Sequence, residues 1–360
     1  MFCIAAFIVF AVLGIFSASY RPLVKKAWHC VLRRVTFRPC DINFSEEIKG
    51  KLLGKLIFTH PRLARFLDRW IDWLAFIFVV LSIWSLLYVA NAGLNLWVYD
   101  TCNPKSAESC SLSGEACGVE QERLGFVHAV QTGRTGEWLV GPAVRFSQTV
   151  SRIPDRLKTW DAKEYLSPTA TFYRAEDPAK PYALEIIDPS CTFCKKLTNN
   201  VQLAGAFERT NVSYLLYPIP RAGSGGYKFP QSYLMASYIE ATKSVPLTGG
   251  DKSVSPDWQL LEQIFSKEIS GGLDLQTKFV MGFTAQQAEE TLQSLLAKIG
   301  YVPEQISQIS VLANSREIRD HLAIQKEIVE KKVRTIKIPT LLYGGRRFDR
   351  VVGVEKLSAR

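Results

Sequence analysis

From Trp73 to Tyr99 the chain carries no charged residue, and "WLAFIFVVLSIWSLLYVA" is the apolar heart of that run. As a helix rising about 1.5 Å per residue, such a run reaches across the roughly 30 Å of hydrocarbon in a bilayer. Trp70, Trp73, Trp97 and Tyr99 sit near its ends, where amphipathic rings favour the headgroup region. A buried core helix needs neither this length nor such a belt. A second uncharged stretch, "MFCIAAFIVFAVLGIFSASY", occupies Met1 to Tyr20. A secretory signal places its positive charge before the apolar run; here Arg21, Lys25 and Lys26 follow it. The sequence therefore predicts two transmembrane helices, 1–20 and 71–99, the first an anchor that is not removed.

The segment between them, 21–70, holds twelve Lys and Arg against Asp41, Glu46, Glu47 and Asp68, a net +8 out of the formal +10 of the whole chain. Short loops this basic stay on the cytoplasmic side. The N-terminus and everything after Asp100 are thus expected outside an inner or plasma membrane. Membrane topology, with some attraction to anionic lipid, accounts for the basicity, and no nucleic-acid partner is called for. The bilayer is the first predicted partner.

Of the eight cysteines, Cys3 falls in the first span, and Cys30 and Cys40 in the cytoplasmic loop, where ordinary reduced thiols are expected. Cys102, Cys110, Cys117, Cys191 and Cys194 fall outside, where disulfides persist. A structural bridge near the membrane exit is expected, most simply Cys102–Cys110, leaving Cys117 over or joined to another chain and open to labelling from outside. Cys191 and Cys194 form the C-x-x-C of "DPSCTFCKKL". Such a pair can be a redox dithiol, half a zinc site or a structural disulfide. No second C-x-x-C follows, and His29, His60, His128 and His321 are scattered, so no metal and no cofactor are predicted.

Residues 100–169 read as an extracytoplasmic linker, Ser- and Gly-rich at first and without clear period afterwards. Order returns with "YALEII", a short apolar strand broken by Asp188-Pro189-Ser190. Cys191 then opens a helix running through Leu197 and Val201, and "NVSYLLYPIP" is the next buried strand. Its Asn211 matches a glycosylation sequon, discounted because it opens that strand. A helical block follows at about 222–330, with Thr284 and Gln287 spaced as a capping box. "IKIPTLLYGGRRFDRVVG" closes the chain as strand, Gly-Gly turn, strand. The fold class is α/β.

"DPAKPYALEIIDPSCTFC" and "KIPT" together resemble the DsbA-like disulfide oxidoreductases of the thioredoxin superfamily. The resemblance covers roughly residues 170–355 and implies a thioredoxin-like domain, 170–360, with a helical insertion. It implies that Glu185 and Asp188 are the acidic residues six and three before the first cysteine, and that Pro339 is a cis-proline facing the dithiol. Thr192 and Phe193 stand where better-known members carry Pro-His, Gly-Tyr or Gly-Pro.

The chemistry follows from position. A helix N-terminus favours a thiolate, so Cys191 is the expected nucleophile and Cys194, one turn inside, the resolving thiol. Lys195 and Lys196 read as helix surface. A buried Glu185 would have a raised pKa suited to exchanging a proton with Cys194. A substrate strand would pair with Ile338 and touch Thr192 and Phe193. The leading reading is a membrane-anchored thiol–disulfide oxidoreductase acting on cysteine-containing exported proteins, with a membrane redox partner as a candidate recycler. The competing reading is a membrane-tethered scaffold or assembly subunit whose C-x-x-C is a stable bridge. A cytoplasmic reductase would require the opposite topology.

Overall fold

The computed structural model describes residues 24–25, 27–29, 61–102, 115–119, 124–223, 225–266, 269–270 and 273–358. The chain divides into two compact units, residues 1–91 and 92–360. The first expected span, Cys3, Cys30, Cys40 and most of the basic loop lie outside the described residues.

Helix α1, Pro61–Tyr99, begins in the first unit and ends in the second. It starts ten residues before the expected 71: Pro61 suits the first helical turn, where its missing N–H costs nothing, and no breaker follows. Its part Phe76–Tyr99 is the one stretch among the described residues long and apolar enough to cross a membrane by length and composition.

The second unit is built on a four-stranded sheet of order β3-β2-β7-β8. Strand β2 is Tyr182–Ile187, β3 Asn211–Leu216, β7 Thr340–Tyr343 and β8 Arg346–Phe348. β2 runs parallel to β3 (Tyr182 opposite Asn211) and antiparallel to β7 (Glu185 opposite Leu341). Five of the six β2 residues are buried, because a central strand covered on both faces has no solvent side. The parallel pair needs a crossover, which contains the C-x-x-C helix α5, Thr192–Leu203, and the short α6, Ala206–Arg209. β7 turns into β8 through Gly344 and Gly345, at φ 55° and 75°, the left-handed pair that a tight hairpin demands and glycine supplies.

Between β3 and β7 lies the insertion. Its helices are α7 Ser232–Thr242, α8 Pro256–Ile264, α9 Leu275–Met281, α10 Ala285–Ile299, α11 Pro303–Ala313 and α12 Arg316–Glu327. Helix α12 runs on as a π-helical turn, Ile328–Val333. The Thr284–Gln287 capping box forms at the head of α10. A two-stranded ribbon, β4 Ile269–Ser270 and β5 Leu273–Asp274, precedes α9. The insertion shares one core with the sheet: the buried Trp258 ring of α8 meets Tyr173, Phe207 and Tyr214 edge-on.

Two expectations need correction. Residues 100–169 are not merely a linker. They include helices α2 Phe126–Gln131, α3 Thr135–Val150 and α4 Ile153–Leu157, and a two-residue strand β1, Cys117–Gly118. β1 pairs antiparallel with β6, Lys337–Ile338. Cys117 is buried rather than open to labelling. A two-residue strand is too short to leave a periodic signal, and its partner lies over two hundred residues away.

A dithiol beneath a paired segment

Asp188-Pro189-Ser190 ends β2, and the Cys191 N–H folds back to donate to the Asp188 carbonyl at 2.9 Å. Cys191 is the N-cap of α5; its carbonyl accepts from the N–H groups of Cys194 (3.0 Å) and Lys195 (3.2 Å). Cys194 sits inside the first turn, and its Sγ accepts from the Asp188 N–H at 3.4 Å. Both cysteines are fully buried.

Their electrostatics depart from the helix-end argument. Cys191 is lowered by its hydrogen bond with Cys117, but the bond to Cys194 and burial outweigh this, and its pKa stands well above the ordinary cysteine value. Burial also pushes Cys194 up, although the bonds from Cys191 and the Asp188 N–H oppose it. Burial and the Cys194 bond thus work against the thiolate that a helix N-terminus favours.

Opposite the dithiol the Ile338–Pro339 peptide bond is cis, and the Ile338 carbonyl oxygen lies 4.0 Å from Cys191 Sγ. A polar knot the sequence did not announce fixes this loop. Thr340 Oγ1 donates to Asp349 at 2.9 Å and meets the Thr335 hydroxyl at 2.7 Å; Arg347 binds Asp349 at 2.8 Å and the Val333 carbonyl at 2.7 Å. Burial raises the Asp349 carboxyl, but Arg347 and Thr340 more than offset it and hold it below its usual range.

Glu185 is buried on central β2 and accepts from the Thr198 hydroxyl at 2.5 Å. Thr198 lies four residues after Cys194, on the same face of α5. Desolvation drives the Glu185 pKa to about 7 against that one hydrogen bond, and its Oε1 has no hydrogen-bond partner among the described residues. Asp188, also buried, is pushed to about 6 by desolvation while the Ser232 hydroxyl (2.5 Å) and the N–H groups of Ile219 and Ser190 (2.8 Å each) pull the other way.

Lys195 is not ordinary helix surface. It is buried and binds Asp274 at 2.6 Å and the Ser266 carbonyl at 2.9 Å. Although burial acts to raise Asp274, hydrogen bonds from Lys195 and Thr277 bring it to about 2. Gln276, buried on α9, donates to the carbonyls of Pro189 (2.9 Å) and Cys191 (3.1 Å). The insertion thus grips the backbone at the dithiol, which no local pattern in the sequence foretold. Lys196 is exposed and pairs with Glu115 at 2.6 Å. Thr192 is exposed, and Phe193 packs half-buried against the core.

Cys117, expected to be left over, stands with its Sγ 2.9 Å from that of Cys191. Cys102 is disulfide-bonded; Cys110, its expected partner, lies outside the described residues. Among the described residues no cluster of three His, Cys, Asp or Glu could hold a metal ion.

No family model and no curated protein matches the chain. Among solved structures it is similar to the thiol-disulfide exchange protein alpha-DsbA2 from Wolbachia pipientis, at 14% identity and TM-score 0.33, over 52% of this chain and 84% of that one. It is also similar to ScsC of Proteus mirabilis in a compact conformation, at 13% identity and TM-score 0.38, over 65% and 93%. A periplasmic thioredoxin-like protein from Salmonella enterica serovar Typhimurium aligns at 14% identity and TM-score 0.32, over 53% and 87%. Scores this low leave the fold and chemistry to rest on this chain's own strand order and site.

Proposed function

We propose that the chain is a membrane-anchored thiol–disulfide oxidoreductase, with its thioredoxin-like domain outside the membrane and cysteine-containing exported proteins as substrates. The observation that carries this reading is the cap arrangement. Cys191 ends the loop at the head of α5 with Cys194 one turn behind it, facing the Ile338 carbonyl.

Exchange would begin when the Cys191 thiolate attacks a substrate disulfide and forms a mixed disulfide. Cys194 would then attack Cys191, forming Cys191–Cys194 and releasing the substrate as a thiol; oxidation of a substrate runs these steps in reverse. Glu185, at a pKa of about 7, is suited to take and return the Cys194 proton near neutral pH. Orientation rests on the basic 21–70 loop between two uncharged runs.

The scaffold reading draws on one observation, the complete burial of Cys191 and Cys194 with raised thiol pKa values. Turnover separates the two. With the full chain in detergent and a disulfide-containing peptide, Cys191→Ser is expected to abolish exchange and Cys194→Ser to stall it after the first step. Wild-type protein with no exchange in either direction would select the scaffold.

A further inference from the structure

Residues 115–119 lie along the loop that faces the dithiol. Cys117 and Gly118 pair antiparallel with Ile338 and Lys337. The Val119 N–H donates to the Ile336 carbonyl at 2.9 Å, and the Val351 N–H to the Glu115 carbonyl at 3.1 Å. At one end the Glu115 carboxylate takes the Lys196 ammonium of α5 at 2.6 Å. An extended segment that adds to a strand edge through main-chain bonds is one recurring way a peptide is recognised. The register sets Cys117 opposite Ile338 and brings its sulfur to 2.9 Å from that of Cys191. That distance exceeds a disulfide bond, about 2.05 Å, and is within direct contact of the two sulfurs.

We propose that Cys117 is a third redox cysteine of this site, carried by a resident segment that occupies the place of a substrate strand and exchanges disulfide with Cys191. The proposal rests on the reading of Cys191 and Cys194 as a redox dithiol.

The step balances within the chain. Starting from the Cys191–Cys194 disulfide, the Cys117 thiolate attacks Cys191 Sγ. The Cys117–Cys191 bond forms, the Cys191–Cys194 bond breaks, and the electron pair leaves on Cys194 Sγ. The proton that Cys117 gave up ends on Cys194. No external oxidant is needed, because the two isomers hold the same two oxidising equivalents; attack by Cys194 reverses the step.

In the Cys117–Cys191 isomer the nucleophile is capped and the pairing edge is filled. A tethered thiol acts at an effective concentration of order millimolar, so an exported protein at micromolar level must displace the segment before Cys191 can act on it. The full burial of Cys191 is the structural counterpart of this competition. One consequence amends the expectation for Cys194→Ser. Once Cys191 has formed an adduct, Cys117 is the adjacent thiol able to resolve it, so adducts with exported proteins should accumulate only when Cys117→Ser is added.

The test uses the full chain in detergent micelles, equilibrated with reduced and oxidised glutathione, quenched in acid, alkylated and mapped as peptides without reduction. Wild type is expected to yield Cys117–Cys191 alongside Cys191–Cys194, and Cys194→Ser to yield Cys117–Cys191 as its main species; Cys194→Ala repeats the measurement should the serine disturb folding. Cys117→Ser is expected to lower KM for a disulfide-containing peptide several-fold. The proposal is overturned if both Cys194 variants carry glutathione on Cys191 with no link to Cys117, or if Cys117→Ser leaves KM unchanged. Formation of the Cys117–Cys191 link with no variant turning over the peptide would support internal exchange while defeating the oxidoreductase reading. Turnover without the link would do the reverse.

Discussion

A carboxyl stands buried in the middle of an apolar strand. Glu185 has no solvent side because β2 is central and covered on both faces; the sequence marked it only through its position before the cysteines, since alternation along one strand cannot tell a central strand from an edge. Its pKa of about 7 lies above the ordinary carboxylate value of 4.5. The protonated form is therefore the one the fold favours: this contribution is complete below the ordinary pKa and is lost as pH rises through 7. A shift of this size corresponds to about 3 kcal/mol. Glu185→Gln is expected to gain up to that much over wild type at pH 8 and nothing at pH 4, measured by urea denaturation; equal pH dependence in both proteins would exclude a raised Glu185. Cys191 gives a second residue-scale expectation. With its pKa well above the usual value, alkylation of the reduced chain at pH 7 should run slower at Cys191 than for an unperturbed thiol, and accelerate when the chain is unfolded. Equal rates folded and unfolded would mean that the thiol is not protected.

Among elements, what could be read in advance was what local pattern encodes. "YALEII" and "NVSYLL" are strands because runs of apolar residues bounded by breakers have few alternatives. The C-x-x-C helix followed from the Asp-Pro-Ser break, and the terminal hairpin from Gly344 and Gly345. What escaped reading depends on contacts between distant segments. The β1–β6 pair is two residues long on each side, too short for a period, and Cys117 stands 74 positions before the cysteine it meets. Gln276 lies on a seven-residue helix that no periodicity would single out, yet it binds two carbonyls at the dithiol. Gln276→Leu leaves those carbonyls without this donor. It should destabilise the fold by about 1–3 kcal/mol and change the glutathione equilibrium of Cys191–Cys194; a stable variant with an unchanged equilibrium would show that the insertion does not hold the active loop. Lys195 illustrates the same limit: it reads as surface on a helix wheel until the insertion arrives over it with Asp274.

For the whole molecule, the two claims are where the domain lies and what its cysteines do. The basic 21–70 loop sets the expected orientation. Because Cys117 is buried, an introduced thiol at an exposed position reports topology better: Leu203→Cys, on the open side of α5, should react with a membrane-impermeant maleimide in intact cells while Cys40 does not. Labelling of Cys40 from outside would invert the topology and remove the oxidising compartment. The second claim is tested most directly by the reduction potential of the Cys191–Cys194 couple. It is to be measured in the full chain carrying Cys117→Ser, by equilibration with a thiol–disulfide buffer and counting of alkylated cysteines. A redox-active dithiol is expected above about −300 mV, within reach of exchange with substrate thiols. A potential below about −300 mV, with the bond resisting reduction while the fold stays intact, would make Cys191–Cys194 a structural bridge and contradict the account.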